Sequence, residues 1–297
     1  MLQEAVDEYI ASLSLREHEQ AGNNQNTVVA YRNDLNQLCV YLEQQKLANW
    51  SQVTHEHITN HLLAMREEQG YRSTTIARKQ AALKSFFRYL QNTGIIPTNP
   101  VEHLKTPRVQ KEPPHVLSAE QISNLFLQIE VETPIGGRDF AMLHMLYATG
   151  MRVSELVSLN LADFDAERAV VICPGRNGRN KRTRELPLPP VVVEATQHYI
   201  RTTRSQLIQR HPDEQALFLN HHGERLTRQG FWLIIKGYAR QAGITDITPQ
   251  MLRHSFALLM LKEGKELRSV QKLLGHAHIT TTQIYSQLAR PKRTTSV

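Results

Sequence analysis

The chain has 297 residues, of which 40% are hydrophobic and 21% charged, and its formal net charge is +7. This composition excludes collagen-like, disulfide-scaffold and fully disordered proteins, and no apolar run approaches the ~20 residues that span a bilayer. Because single cores stop growing near roughly 250–300 residues, the length predicts two domains. The positive charge favours a polyanionic partner.

The amino-terminal segment and the cysteines indicate the compartment. The first ten residues, MLQEAVDEYI, are acidic and amphipathic and show no signal-peptide pattern. Cys39 and Cys173 lie far apart and form no C-x-x-C motif, which suits a reducing cytoplasm and disfavours a cysteine-built zinc site. We therefore expect a cytoplasmic protein.

Apolar residues recur at helical spacing through about the first 100 residues. Candidate caps are Asn24 or Asn26 for the second helix and Ser73, Thr74 or Thr75 for the last. The predicted helices cover residues 2–15, 28–42, 58–65 and 76–90. Short connections between them predict an all-α bundle.

The composition of the chain changes after the predicted bundle. One glycine and five prolines lie within 94–115, and proline stops helices and stiffens linkers. We expect a helical domain over 1–106, a linker over 107–116 and a second domain over 117–297, opened by a capping box at Ser118 and Gln121. The first 106 residues carry a net charge of −1 and the remainder +8, so the second part holds the excess.

The second part is predicted to be helical to about residue 160, then to form a small hairpin. Apolar residues 170–172 and residues 185–188 flank the run RNGRNKRTR at 176–184, which contains five bases and no acid. Asn177 and Gly178 are a hairpin turn signal. Helical spacing resumes over 191–209, 228–241, 249–262 and 266–274. The predicted fold is mainly α with a small antiparallel sheet, in two domains.

Four short segments of the second domain contain candidate catalytic residues. They are ATGMRVSEL at 148–156, the basic hairpin, QMLRH at 250–254, and LGH at 274–276 followed by Tyr285. Each alone is a weak signal, but their order and spacing resemble the tyrosine recombinase family, and most closely its Xer-type bacterial members. The stretches NTVVAYRNDL at 26–35, LTRQGFW at 226–232 and TTTQIY at 280–285 are similar as well. The resemblance spans nearly the whole chain.

The resemblance implies a SAM-like core-binding helical domain and an α+β catalytic domain of a site-specific DNA recombinase. Tyr285 would attack the scissile phosphate, giving a 3′-phosphotyrosyl intermediate that a partner's 5′-hydroxyl reverses through a Holliday junction. Arg152 and Arg253 match the family's two arginines, whose permanent, fork-shaped cations suit phosphate oxygens. His276 would bind the phosphate or assist proton transfer. Because protein cations neutralise the phosphate, no metal ion or other cofactor is implied.

Two positions depart from the family pattern. The family usually has a histidine three residues before the second arginine, where this chain has Gln250, which can donate a hydrogen bond but cannot titrate. The family's proton donor is a hairpin lysine, and the longer hairpin here places that position on Arg176 or Arg179 by register. Chemistry favours Lys181, the only lysine in the run. Glu155 is either a supporting residue or an ordinary helix-surface acid.

The expected DNA contacts lie at helix starts and on the hairpin, where polar and basic side chains suit phosphates and base edges. They are Arg72, Thr74, Thr75, Arg78, Lys79, Arg176, Arg179, Arg182, Arg228 and Gln229. The resemblance implies that both domains clamp double-stranded DNA in a homo- or heterotetramer in the bacterial cytoplasm, at the nucleoid. It implies no membrane and no small-molecule partner.

Three other interpretations remain for comparison. His55, His57 and His61 include an i,i+4 pair, but nothing completes a metal site and a solvated helix face is preferred. Residues 249–274, with a turn at Gly264, could form the helix-turn-helix of a non-catalytic regulator, which leaves Arg152 and Tyr285 without a role. A type IB topoisomerase uses similar chemistry, and the Xer-like amino-terminal domain argues against it.

Overall fold

The computed structural model describes residues 2–20, 25–105, 113–174 and 183–289. Those up to 105 form one compact unit and those from 113 onward form a second. In the described part of the chain no helix is both long and apolar enough to cross a membrane.

The described residues of the first unit form a helical bundle, as predicted. Its elements are α1 (Leu2–Gln20), α2 (Gln25–Gln44), a 3-10 turn (Trp50–Gln52), α3 (His55–Glu67) and α4 (Ser73–Asn92). Apolar residues spaced three or four apart bring one face of each helix into a common core. At its centre Trp50 packs edge-on against Phe86, with ring centroids 4.8 Å apart, and donates a hydrogen bond to the carbonyl of Leu2 at 3.1 Å.

The ends of these helices differ from the predictions. Helix α1 continues to Gln20, beyond the predicted end at residue 15. Helix α2 already begins at Gln25, so Asn26 lies within the helix, and Asn24 lies outside the described residues. The prediction of a Ser or Thr cap on α4 is wrong: Arg72 occupies the capping position without a side-chain hydrogen bond, and α4 begins at Ser73.

The second unit contains helices around a small sheet. Its described elements are α5 (Ala119–Leu127), α6 (Pro134–Thr149), α7 (Val153–Ser158), β1 (Phe164–Asp165), β2 (Val170–Cys173), β3 (Arg184–Pro187), α8 (Pro190–Tyr199), α9 (Ser205–Leu207), α10 (Arg228–Gln241), α11 (Pro249–Lys262), α12 (Leu267–Leu274) and α13 (Thr280–Ala289). The capping box predicted at Ser118 and Gln121 is present at the start of α5. The predicted helix 191–209 is interrupted, because a π turn over Ile200–Arg204 separates α8 from α9.

The sheet is antiparallel in the order β1-β2-β3. Strands β2 and β3 form the predicted hairpin, with Val171 opposite Leu186 and Cys173 opposite Arg184, and β1 is an additional short strand. The hairpin tip, with Arg176, Arg179, Lys181 and Arg182, lies outside the described residues. The predicted fold class is confirmed.

Helix α6 is the central element of the second unit. Met142, Leu143, Met145 and Leu146 are all fully buried, so the helix is enclosed on more than one face. It begins at a Thr133 side-chain cap and ends at Gly150, whose φ of 60° is left-handed. A Cβ at Gly150 would lie 2.2 Å from the ring of Phe256, so the close approach of α6 and α11 also requires glycine.

Candidate functional site

Four segments that are distant in sequence meet in the second unit. Arg152 lies between α6 and α7, Arg253 lies on α11, His276 follows α12 and Tyr285 lies on α13. Arg253 connects three of these segments, because one Nη donates to the carbonyl of Gly150 at 2.5 Å and the other to that of Leu274 at 2.6 Å. Tyr285 joins them through a contact with His254, the neighbour of Arg253, so the two predicted arginines, the histidine and the tyrosine lie in one cluster.

Arg152 is held by Glu155. The carboxylate accepts one hydrogen bond from the Arg152 backbone N at 2.7 Å and another from its Nη1 at 2.9 Å, which caps α7 and fixes the guanidinium together. Nη2 of Arg152 also donates to the carbonyl of Gly275 at 3.4 Å. Glu155 is 5% exposed, so it is not an ordinary surface acid.

Arg184, the first residue of β3, holds the same carboxylate from another side. Its Nη1 lies 3.3 Å from Oε1 of Glu155 and its Nη2 lies 3.0 Å from Oε2, while Nη2 also contacts the Cys173 sulfur at 3.2 Å. Burial alone would raise the pKa of Glu155, but hydrogen bonds from Arg184 and from the Arg152 backbone outweigh it and lower the pKa. The carboxylate therefore stays ionised between two guanidiniums.

Arg253 is 1% exposed, and its surroundings explain why a buried cation is tolerated. Its two carbonyl acceptors stand at the carboxyl ends of α6 and α12, where the helix dipole is negative. Burial and the charge of Arg152 lower the pKa of Arg253 to about 10, so it remains protonated at neutral pH. Its Nε is buried and has no hydrogen-bond partner among the described residues, which leaves one donor unused.

The hydroxyl of Tyr285 contacts His254, the neighbour of Arg253 on α11. The Oη atom lies 2.5 Å from Nδ1 of His254, and Tyr285 is 1% exposed. Burial raises the pKa of Tyr285, an effect that the charge of Arg253 opposes. Burial and the same charge lower the pKa of His254 to about 4.

His276 is fixed by its neighbours. Its Nδ1 lies 2.9 Å from the Thr282 hydroxyl, and its carbonyl accepts a hydrogen bond from the Gln271 side chain at 3.0 Å. Burial first, then the charges of Arg253 and Arg152, lower its pKa to about 4. The imidazole is thus neutral at pH 7, with one ring nitrogen occupied by Thr282.

Gln250 does not join this cluster directly. It lies in the first turn of α11 with an exposed side chain, and in the described ranges no hydrogen bond involves its amide. Sequence reasoning gave no role to His254 or Arg184. His254 could have been noticed as the titratable residue next to Arg253, and Arg184 as the base paired with Cys173 in the predicted hairpin.

The predicted DNA contacts that fall within the described residues lie at or near the starts of two helices. Arg72 and Thr74 at the start of α4 are exposed and Thr75 is half-buried, while Arg228 and Gln229 are exposed in the first turn of α10.

Arg78 and Lys79 follow on α4 and both pair with Asp34, but their exposure differs. The Arg78 side chain is 44% exposed, whereas Lys79 is 6% exposed, with its ammonium 2.9 Å from Asp34 and 2.6 Å from Gln37. Burial and this pairing argue against Lys79 as a DNA contact.

Within the ranges given above, no group of three or more His, Cys, Asp or Glu side chains is arranged to hold a metal ion. His61, one of the three histidines considered for a metal, is buried in the core of the first unit. The cluster instead contains two guanidiniums, a neutral imidazole and a tyrosine hydroxyl. Such a set can bind an oxyanion such as a phosphate and attack it.

Comparison with known proteins agrees with this chemistry. The phage integrase family matches residues 115–291, and the phage integrase N-terminal SAM-like domain matches residues 6–94. Tyrosine recombinase XerC of Roseiflexus castenholzii is 48% identical over 89% of this chain and 83% of its own length. XerC of Herpetosiphon aurantiacus is 44% identical over 98% of this chain and 92% of its own length. XerD of Oceanobacillus iheyensis is 38% identical over 98% of this chain and 96% of its own length.

Solved structures share the fold at lower identity. A XerH site-specific recombinase bound to a palindromic difH substrate matches with a TM-score of 0.75 at 18% identity, over 97% of this chain and 93% of that one. A lambda integrase dimer bound to a core site matches with a TM-score of 0.71 at 18% identity, over 94% of this chain and 96% of that one. The chain belongs to the phage integrase family of tyrosine recombinases.

Proposed function

We propose that the chain is a site-specific recombinase that cuts and rejoins double-stranded DNA through a 3′-phosphotyrosyl intermediate and Holliday-junction strand exchange. The observation that carries this proposal is the cluster of Arg152, Arg253 and His276. Tyr285 belongs to it through its contact with His254 and the charge of Arg253. Site-specific recombination is also the activity named for a structural relative.

In this proposal the cations bind the scissile phosphate. Arg152 and Arg253 neutralise its non-bridging oxygens, and the unused Nε donor of Arg253 supports that role. His276 donates a hydrogen bond to the phosphate, since its neutral ring has one nitrogen left after the contact with Thr282. Tyr285 forms the new bond to phosphorus as the bond to the 5′-oxygen breaks.

The leaving 5′-oxygen needs a proton, and we assign its donor to Lys181 on the hairpin, in preference to the positions of Arg176 and Arg179. Lysine can release a proton, whereas arginine in practice cannot. A 5′-bridging phosphorothiolate, which leaves without a proton, should restore cleavage by a Lys181→Ala variant. Gln250 keeps a phosphate-binding role and has no acid-base role, so a Gln250→His variant should change the pH dependence of cleavage.

The DNA contacts extend over both proposed domains, 1–106 and 117–297, joined by a linker at 107–116. The start of α4, with exposed Arg72, Thr74 and Arg78 and half-buried Thr75, supports a contact in the first domain. Arg228 and Gln229 on α10 support one in the second, together with the hairpin bases Arg176, Arg179 and Arg182. We propose a homo- or heterotetramer on two DNA sites in the bacterial cytoplasm, at the nucleoid.

A covalent trap tests the proposal. A pool of nicked duplexes with a randomised centre is incubated with the protein, and adducts that survive a denaturing gel are isolated and sequenced. The expected result is a covalent adduct on a restricted set of sequences. Tyr285→Phe should abolish the adduct, and Tyr147→Phe, a matched change at a half-buried tyrosine on α6, should retain it. When two recovered duplexes are then incubated together with the protein, they should exchange strands with each other.

Two alternatives give different results in the same assay. A helix-turn-helix regulator, the alternative for residues 249–274, would retain duplexes without any covalent adduct. A type IB topoisomerase would relax supercoiled plasmid without site preference and would not exchange strands between two duplexes. Either outcome would refute site-specific recombination.

A further inference from the structure

The hydrogen bond between His254 and Tyr285 has a defined direction. Tyr285 is 1% exposed, so its hydroxyl hydrogen needs an acceptor inside the protein. In the part of the chain that the structure describes, Nδ1 of His254, 2.5 Å away, is the hydrogen-bond partner of this hydroxyl. Tyr285 therefore donates and Nδ1 accepts, which puts the imidazole proton on Nε2.

The groups around His254 keep its ring neutral. Arg253 lies beside it on α11, Tyr285 faces it from α13, and His276 faces it from the turn after α12. Burial and the Arg253 cation lower the pKa of His254 to about 4, so the ring is neutral at pH 7. A neutral acceptor in contact with the nucleophile meets the geometric requirement for a general base.

The other candidates for this role do not contact the hydroxyl. Nδ1 of His276 is occupied by Thr282 at 2.9 Å, and no bond joins His276 to Tyr285 in the described ranges. The exposed amide of Gln250 cannot take up a proton. Among these residues His254 is thus the one placed to remove the tyrosine proton.

We propose that His254 is the general base of strand cleavage, which rests on the function proposed above. As Tyr285 Oη bonds to phosphorus, its proton passes to Nδ1 of His254, and the departing 5′-oxygen takes a proton from the general acid. In rejoining, the incoming 5′-hydroxyl returns its proton to that acid. His254 then returns its proton to the tyrosine, so every proton is accounted for.

The scissile phosphate would strengthen this base. A negative charge close to an imidazole favours the protonated ring and raises its pKa, opposing the effect of Arg253. His254 would therefore be a weak base in the free protein and a stronger one when DNA occupies the site. Its proton affinity would be coupled to the presence of substrate.

Single-turnover cleavage tests the inference, using a nicked suicide duplex recovered from the covalent trap. Asparagine keeps a short hydrogen-bond acceptor but cannot titrate, so His254→Asn should slow adduct formation about 100-fold or more with unchanged affinity for the duplex. Imidazole added to His254→Ala should restore part of the rate. A 5′-bridging phosphorothiolate should not rescue either variant, because the defect lies in the nucleophile. His198→Asn, a matched change at an exposed histidine on α8, should cleave at the wild-type rate.

The results separate the possible failures. A His254→Asn rate within twofold of wild type would overturn the general-base role while leaving the proposed function intact. A slow His254→Ala that binds DNA normally but does not respond to imidazole would reduce His254 to a positioning residue. If His254→Asn fails to bind the duplex, His254→Gln provides the same comparison. Absence of any wild-type adduct across the pool would refute the proposed function itself.

Discussion

The guanidinium of Arg184 occupies the space that a side chain at position 275 would need. A Cβ placed on Gly275 would lie 2.3 Å from Nη1 of Arg184, and the Gly275 φ of 62° is itself left-handed. From this position Arg184 donates to both oxygens of Glu155, which holds Arg152. The turn before His276 and the support of Arg152 are therefore sterically linked.

We predict that Gly275→Ala keeps the fold but impairs cleavage. Because the atom in the way is the end of a flexible side chain, Arg184 can swing aside, at the cost of its bonds to Glu155. Adduct formation on the suicide duplex should fall by about tenfold, the equivalent of ~1.4 kcal/mol. The left-handed backbone should also cost ~1–2 kcal/mol of stability, measurable by urea unfolding.

Gly264→Ala is the matched control for this variant. Gly264 has a φ of 83°, but a Cβ there would meet nothing within 4 Å. It should show a similar stability loss and a wild-type cleavage rate. Equal cleavage by the two variants would show that the contact between Arg184 and position 275 is unimportant.

We predict that Arg184→Ala lowers the cleavage rate by at least tenfold. Without Arg184, the buried Glu155 carboxylate loses one of the two guanidiniums that hold it, so Glu155 fixes the guanidinium of Arg152 less firmly. The Glu155 pKa should rise, so activity should be lost at a higher pH on acidification than in the wild type. Pre-steady-state adduct formation against pH measures both effects.

Arg168→Ala, in the turn between β1 and β2, provides the comparison beside the same sheet. Arg168 pairs with Glu185 at 2.8 Å, and both side chains are 56% exposed. Such exposed pairs contribute ~0–1 kcal/mol, so stability and cleavage should stay close to wild type. A cleavage defect as large as that of Arg184→Ala would mean that any loss of charge on the sheet has this effect.

We predict that Asp34→Ala destabilises the first unit by about 3 kcal/mol, because removing one partner leaves a buried charge uncompensated. The charge is the Lys79 ammonium, which would keep the Gln37 side chain and the face of the Tyr71 ring, 5.2 Å away, but no carboxylate among the described residues. Fluorescence of buried Trp50 during urea unfolding reports on this unit. Arg78→Ala, at the half-exposed partner of Asp34, should cost ~1 kcal/mol or less. A change below 1 kcal/mol in Asp34→Ala would contradict the ion-pair assignment.

We predict that acid destabilises the first unit through His61. Burial and the Lys79 cation lower the pKa of His61 from 6.5 to about 4, so the unfolded chain binds its proton at a higher pH than the folded chain. The contribution of neutral His61 is therefore complete above pH 6.5 and declines as the pH falls toward 4, by up to about 3 kcal/mol.

His61→Gln should flatten this part of the stability curve, measured by urea unfolding at a series of pH values. The exposed His103→Gln serves as the control and should leave the shape of the curve unchanged. Parallel curves for wild type and His61→Gln would show that His61 protonates alike in both states.

The helical periodicity and the order of the motifs made the fold class and most of the cluster predictable. Apolar spacing located the core faces of α2 to α4. The order and spacing of the motifs, through their resemblance to the tyrosine recombinase family, pointed to Arg152, Arg253, His276 and Tyr285. The basic residues at the start of α4 were harder to interpret. Arg78 and Lys79 are adjacent and equally charged, and both pair with Asp34, which lies 45 residues before Lys79. In the folded protein Lys79 is buried beside Asp34, whereas Arg78 stays about half exposed.

The sequence by itself determined which chemical groups the protein has and in which order they occur, because periodicity and residue type are local properties of the chain. The tertiary structure decided which groups touch. Tyr285 meets His254 across 31 residues, and Arg184 meets Glu155 across 29. Burial, the direction of each hydrogen bond and each pKa shift depend on neighbours that only packing supplies. For that reason Tyr285 could be proposed as the nucleophile from the sequence, but the imidazole in contact with it could not be identified.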